Sequence, residues 1–182
     1  LDIKGEGKVC QGIAVSGANG SGKTTLGRLL AGMLGYKHMD AEDYFFKEPA
    51  VPYTDARTRE EALKLLTADM KKYGQFIVTA VNCDFGDEIN ARYGCVIYIE
   101  APLEIRLDRI KKRSIEKFGK RVFEGGDMYE REQKFYELAA SRTMEKTEAW
   151  LNGLKCPVIY IDGTKPAQEN AEAFIRQWIK SS

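Results

Sequence analysis

The chain has 182 residues, 43% of them hydrophobic and 30% charged, which suits one domain with a sizeable core. Lys and Arg number 28 against 27 Asp and Glu, a net charge of +1, so no global field draws nucleic acid or an anionic membrane. No apolar run approaches the ~20 residues a membrane span needs, the first residues do not read as a signal peptide, and a lone histidine, His38, excludes a serine triad or a His-rich zinc site. The four cysteines, Cys10, Cys83, Cys95 and Cys156, form no C-x-x-C pair. Cys95 and Cys156 open apolar runs and read as buried free thiols, which suits a cytoplasmic setting.

In chain order, a short apolar strand over 13–16 runs into Gly17-Ala18-Asn19-Gly20-Ser21-Gly22-Lys23-Thr24, a complete G-x-x-x-x-G-K-[ST] motif. Behind it Leu26, Leu29, Leu30, Met33 and Leu34 recur at helical spacing, predicting an amphipathic helix over 23–34 that stops at Gly35. Strand, glycine-rich turn and helix are the context in which this motif cradles a polyphosphate. Glycines let backbone N–H groups converge on the anion, and the helix N-terminus adds partial positive charge. Lys23 is expected on the β- and γ-phosphates and Thr24 on Mg²⁺, with Thr25 beside them. The cofactors implied are ATP and Mg²⁺.

A second strand over 37–39 ends in Asp40-Ala41-Glu42-Asp43-Tyr44-Phe45-Phe46. Acids at a strand end facing a ligand crevice suit a group that orients an attacking hydroxyl and accepts its proton, and a second carboxylate suits a metal. Asp43 or Asp40 is the expected base, with Asp40 also at the metal and Glu42 as a third acid between them. Alternatively, either aspartate merely caps a helical turn. Tyr44, Phe45 and Tyr53 are expected to wall an acceptor. Arg57 and Arg59 precede a helix over 58–73. Arg57 either grips an acceptor phosphate, or both arginines pair with Glu60 and Glu61.

Strands follow over 76–80, 95–100 and 158–161, their continuous apolar runs fitting burial on both faces. Asn82 and Asp84, beyond the third strand, are further acceptor-side residues. A helix from Pro102 to about 113 sets Arg106, Arg109 and Arg113 on one face, and Lys117, Lys120 and Arg121 carry positive charge on to Gly125-Gly126. This stretch, about 113–126, reads as a mobile basic lid, with Arg113 and Arg121 the leading phosphate contacts and Arg109 next; a solvated basic face is the alternative. One long helix is expected over 127–151, and a last one over 168–179 with Ala171, Phe174, Ile175 and Trp178 along one stripe.

The glycine loop, the acid-bearing second strand and the aromatic segment 43–47 resemble the uridine kinase and nicotinamide riboside kinase group, where an acid there serves a hydroxyl acceptor. The layout with a basic lid and the turn Asp162-Gly163-Thr164-Lys165-Pro166 resembles the nucleoside monophosphate kinase and shikimate kinase group, where such a turn lies beside the adenine. The resemblance implies an α/β P-loop NTPase fold, a three-layer sandwich with a five-stranded parallel sheet and helices on both faces. It places Gly163 and Thr164 at the nucleotide and region 42–74 at the acceptor. It also implies an ATP-dependent small-molecule kinase, monomeric or homodimeric, acting on a nucleoside-like or other hydroxyl acceptor; a nucleoside monophosphate acceptor is the alternative. A switch or mechanical ATPase is the reading from another class. Against it, no N-K-x-D motif occurs and no Asp-Glu pair ends the third strand.

Overall fold

In the computed structural model, residues 12–47 and 55–181 are described; Cys10, Tyr53 and the stretch 48–54 of the expected acceptor region lie outside them. Five strands, β1 (Gly12–Gly17), β2 (Lys37–Asp40), β3 (Phe76–Thr79), β4 (Tyr93–Glu100) and β5 (Val158–Asp162), form one sheet in the order β2-β3-β1-β4-β5. Every neighbouring pair is parallel. All five expected strands are present. β1 is central, and the chain adds β2 and β3 on one side before crossing to β4 and β5 on the other. The direction of winding therefore reverses at β1, and the crevice beyond its carboxyl end is where ligands of open α/β sheets bind.

The helices are α1 (Lys23–Leu34), α2 (Ala41–Phe45), α3 (Arg59–Tyr73), α4 (Asp87–Asn90), α5 (Leu103–Phe118), α6 (Tyr129–Ser141), α7 (Glu145–Asn152) and α8 (Ala167–Ser181), with a 3₁₀ turn at Gly119–Val122. Residue alternation along the strands divides the core into two layers. Ile13, Val15, Ile77, Ile97 and Ile161 pack with Leu26 and Leu30 of α1 and with Ala171 and Phe174 of α8. On the opposite face Ala14, Met39, Val78 and Val96 meet Leu66 and Met70 of α3 and Trp150 and Leu151 of α7. The apolar stripe foreseen on the last helix is thus buried against the sheet.

Three local features differ from the sequence expectation. The lid half of α5 is helical through Phe118 rather than irregular from 114 onward. The expected long helix over 127–151 is two helices, separated at Arg142–Met144 without any glycine or proline. Two distant contacts hold the break open: Arg142 reaches the glycine loop, and Met144 packs on the core layer containing Trp150. The short α2 also went unforeseen. Asp40 starts it, its side chain accepting the Glu42 N–H at 3.2 Å, so the capping role left open for Asp40 is real.

Candidate nucleotide and acceptor site

The loop after β1 bends round an open centre. Gly20 has φ +79°, and a Cβ there would collide with the Arg106 carbonyl at the start of α5. Only glycine lets that helix approach so closely. Arg106 clamps the same place, with Nη1 donating to the Asn19 carbonyl at 3.2 Å and Nε to Ala101 at 3.1 Å. Arg109 Nη1 donates to the Ser21 carbonyl at 3.4 Å. Arg142 Nη1 donates to Asn19 Oδ1 at 3.0 Å from 123 residues away. No spacing signal in the sequence marks Arg142, because only the tertiary fold brings it to the loop.

Lys23 donates to the Ala18 carbonyl across the loop at 2.8 Å. Burial lowers its pKa from 10.5 to about 8, against opposing influences led by Cys83, Glu42 and Asp40. As a residue Lys23 retains some exposed surface, yet its ammonium sits where water is scarce and an anion's charge would be felt most. Beneath it Cys83 is fully buried, its thiol donating weakly to the Val15 carbonyl. Burial pushes that thiol up to about 12, so it stays neutral beside the lysine. Ser21 Oγ is buried in the loop without a protein partner.

Thr24 Oγ1 donates to Asp40 Oδ2 at 3.0 Å, joining the first turn of α1 to the end of β2. A hydroxyl next to a carboxylate is the hard oxygen set that Mg²⁺ takes, usually alongside water and substrate phosphates. Among the described residues no group of three His, Cys, Asp or Glu could hold a metal alone. The orphaned Ser21 hydroxyl, the buried lysine and the oxygen pair therefore suit a magnesium nucleotide.

The two acids after Asp40 go different ways. Burial, then neighbouring Asp40, raises the Glu42 carboxyl although it keeps an open edge to solvent, while Arg113 and Lys23 pull it down. Glu42 thus shares the field of the loop lysine and of Arg113 on α5. The Asp43 carboxyl is also raised by burial and Asp40, but the cations acting on it are Arg28, His38 and Lys37 of α1 and β2. Asp43, one of the two bases expected from sequence, has neither Lys23 nor Arg113 among those neighbours.

Other expected acceptor residues are engaged in holding the fold. Arg57 Nη1 donates to the carbonyls of Asp43, Tyr44 and Phe46 at 3.3, 3.0 and 2.9 Å, tying down the end of α2 rather than standing free for a phosphate. The Tyr44 hydroxyl donates to Asp69 on α3 at 2.8 Å. Phe45 stacks on Phe85 with ring centres 6.1 Å apart. Asn82 Oδ1 accepts the Asp84 N–H at 2.9 Å, leaving its amide nitrogen for other work. Arg59 Nη2 donates to the Asp84 carbonyl at 3.2 Å, and the Glu61 expected to pair with it instead closes a capping box with Thr58.

In the lid, Arg113 is exposed, and its charge is felt at Lys23. Arg121 instead makes a two-pronged pair with Asp127 at 2.8 and 2.6 Å, both side chains more than half exposed. The turn after β5 lies against the loop. Gly163 N–H donates to the Glu100 carbonyl at 2.6 Å, and a Cβ on Gly163 would fall 2.7 Å from Ile99 Cγ2 and 3.0 Å from the Ser21 carbonyl. Thr164 is fixed by its N–H and hydroxyl, which donate to Asp162 Oδ1 at 2.9 and 2.6 Å.

Residues 13–137 match the family model described as AAA domain. The chain belongs to that family. YqaC of Bacillus subtilis (strain 168), described as an uncharacterized protein, is 29% identical over 168 residues, covering 88% of this chain and 93% of its own length. Among solved structures, the shikimate kinase from Acinetobacter baumannii in complex with shikimate superposes with a TM-score of 0.61 at 17% identity, covering 96% of each chain. A gluconokinase from Sinorhizobium meliloti 1021 superposes at 0.56 with 15% identity, covering 95% of this chain and 98% of its own. The deoxyadenosine kinase from M. mycoides reaches 0.51 at 18%, covering 94% and 100%. The fold is that of the P-loop small-molecule kinases.

Proposed function

We propose that the chain is a single-domain ATP- and Mg²⁺-dependent phosphotransferase that phosphorylates a hydroxyl of a small, nucleoside-like or polyhydroxy acceptor. The observation that carries this reading is the buried Lys23 ammonium donating across the glycine loop beside the Thr24–Asp40 hydroxyl–carboxylate pair, with the charges of Glu42 and Arg113 felt at that lysine. Phosphoryl transfer requires positive charge on the moving group and a positioned acceptor for the hydroxyl proton, with little covalent chemistry from the protein.

The loop N–H groups and Lys23 hold the phosphates, while Arg106 and Arg109 hold loop carbonyls and Arg142 holds the Asn19 side chain. Thr24 and Asp40 hold Mg²⁺, which supplies charge neutralisation when bound. Glu42, rather than Asp43, orients the acceptor hydroxyl and takes its proton, since Lys23 and Arg113 are among the charges acting on its carboxyl and not on that of Asp43. Its raised pKa improves its match to that task near neutral pH. Arg113 brings positive charge from α5, and closure of the segment 113–126 over the loop would exclude water.

A hydroxyl acceptor is favoured over a phosphate acceptor on two grounds. Arg57 is drawn onto three backbone carbonyls. Shikimate, gluconate and deoxyadenosine, the compounds named for the three kinases of like fold, are all alcohols. The AAA-domain family favours a second reading, an ATPase that needs no acceptor. ADP release measured by a coupled assay across sugar acids, cyclitols, nucleosides and nucleoside monophosphates separates the two. The kinase reading expects turnover to rise at least tenfold with one alcohol and a phosphoester product visible by phosphorus NMR. Hydrolysis at the same rate with every acceptor would establish the ATPase instead.

A further inference from the structure

The crevice beyond β2 and β3 is bounded by α2, the start of α3 and the segment after β3, and side chains stitch these three together. Phe45 of α2 stacks on Phe85, the Tyr44 hydroxyl donates to Asp69 of α3, and Phe46 pairs with Ala56 in an isolated antiparallel bridge. An acceptor held here by a carboxylate would need a cation to meet it, because a carboxylate leaves water only for a charged or strongly donating partner.

The chain supplies three cations between residues 40 and 62, Lys47, Arg57 and Arg59, and all three are turned onto the protein itself. The Lys47 ammonium lies 3.1 Å from Asp55 Oδ1. Arg57 Nη1 donates to the carbonyls of Asp43, Tyr44 and Phe46, and Arg59 Nη2 to that of Asp84. Drawing either arginine to a ligand would take a donor from backbone carbonyls and loosen the joins between these elements. Nearer the loop, Arg106 and Arg109 hold loop carbonyls and Arg142 holds Asn19 Oδ1, which leaves Lys23 and Arg113 to the phosphates. Seven acids stand against the three cations of residues 40–62. Asp40, Glu42 and Asp43 fall within one turn, and the Glu42 and Asp43 carboxyls are each raised by burial and then by Asp40. The field on this side of the crevice is therefore negative.

We propose that the acceptor is a neutral alcohol, a polyol, cyclitol or nucleoside without a carboxylate, and that the site rejects the corresponding acids. The inference rests on the kinase reading above and adds to it the charge of the substrate. A neutral alcohol asks the wall for ordinary hydrogen bonds only. An acid of the same shape loses water round its carboxylate, gains no cation in return, and is repelled by the carboxylates at the start of α2.

The test compares acceptors within pairs that share a carbon skeleton: glucitol and gluconate, glycerol and glycerate, uridine and orotidine, shikimate and the alcohol made by reducing its carboxyl. ADP release by the whole chain is followed with Mg²⁺–ATP saturating. In the pair turned over fastest, the neutral member is expected to have a kcat/KM about tenfold or more above the acid, mainly through KM, as a carboxylate left without a partner requires. Arg57→Ala is expected to lower Tm yet leave that ratio within threefold, because its bonds hold α2 and not substrate. Arg59→Ala serves the same purpose if the first variant does not fold. A neutral advantage below threefold, a preference for the acid, or a ratio that moves more than threefold in the arginine variant overturns the proposal while leaving the kinase reading in place. If no compound of either charge raises ADP release, the kinase reading falls and this proposal falls with it.

Discussion

In the proposed mechanism Lys23 and Glu42 carry the chemistry, and each would leave a measurable trace. With its pKa lowered to about 8 by burial, Lys23 is partly deprotonated in the free protein above neutrality. A bound polyphosphate favours the charged form, so the folded, liganded lysine titrates higher. Nucleotide binding at pH 8 should therefore take up a substantial fraction of a proton, and at pH 6.5 almost none from this group. Calorimetry in two buffers of different ionisation enthalpy reads that uptake directly, and Lys23→Arg should abolish it because arginine stays charged. For the acids, Glu42→Gln is expected to cut turnover about 10²–10⁴-fold, the range of a positioned general base. Asp43→Asn should cost less than about fivefold, because its charged neighbours lie on α1 and β2. Equal losses in the two variants would undo the assignment of Glu42.

At the scale of elements, α5 and the turn after β5 are pressed onto the glycine loop at two glycines. Gly163→Ala must move Ile99, the Glu100 carbonyl or the loop itself. We expect it to destabilise the fold by about 1–3 kcal/mol, as overpacking does, and to weaken nucleotide binding more than proportionately. Denaturant melts and ADP titrations of that variant check both. Much at this scale was legible in the sequence. The motif with its flanking strand and helix located the loop, and the apolar runs located β1, β3 and β4, because a strand buried on both faces has a distinctive composition. β5 was placed by its apolar run too, although as an edge strand it leaves Tyr160 exposed rather than buried on both faces. The break at Arg142–Met144 was not legible, since local periodicity carries no record of a bond to Asn19 formed across 123 residues. The sequence left the base open between Asp40 and Asp43, and the proposed role of Glu42 was hidden for a similar reason. Successive residues of a helix point about 100° apart, so the facing acid depends on where α2 begins. Asp40 as its cap fixes that start, and the D-x-E spacing was the one available signal.

For the whole molecule, the central position of β1 gathers pieces from distant parts of the chain at one crevice. α1, α5, the Arg142 junction and the turn after β5 meet the loop that follows it, and the end of β2 joins them through the Thr24–Asp40 bond. Because these pieces are held to the loop by Arg106, Arg109, Arg142 and Gly163, ligand binding should stabilise the molecule as a unit. At a hundredfold excess of Mg²⁺–ADP over its dissociation constant, mass action adds about 2.7 kcal/mol. For a chain of this size that raises Tm by roughly 5–10 °C, which differential scanning fluorimetry would register. Arg142→Ala should shrink this shift while leaving the ligand-free Tm within about 2 °C, since a partly exposed polar contact contributes little by itself.

The central claim is that the loop around Lys23 grips the phosphates of a nucleotide. Titrating the folded protein with ATP at millimolar Mg²⁺, beside Lys23→Ala at the same concentration, tests it most directly. The account expects saturable one-to-one binding by the unaltered chain and a loss of at least about a hundredfold in the variant, on the scale of removing a preorganised electrostatic group. Binding of equal strength in both proteins, or in neither, would contradict it.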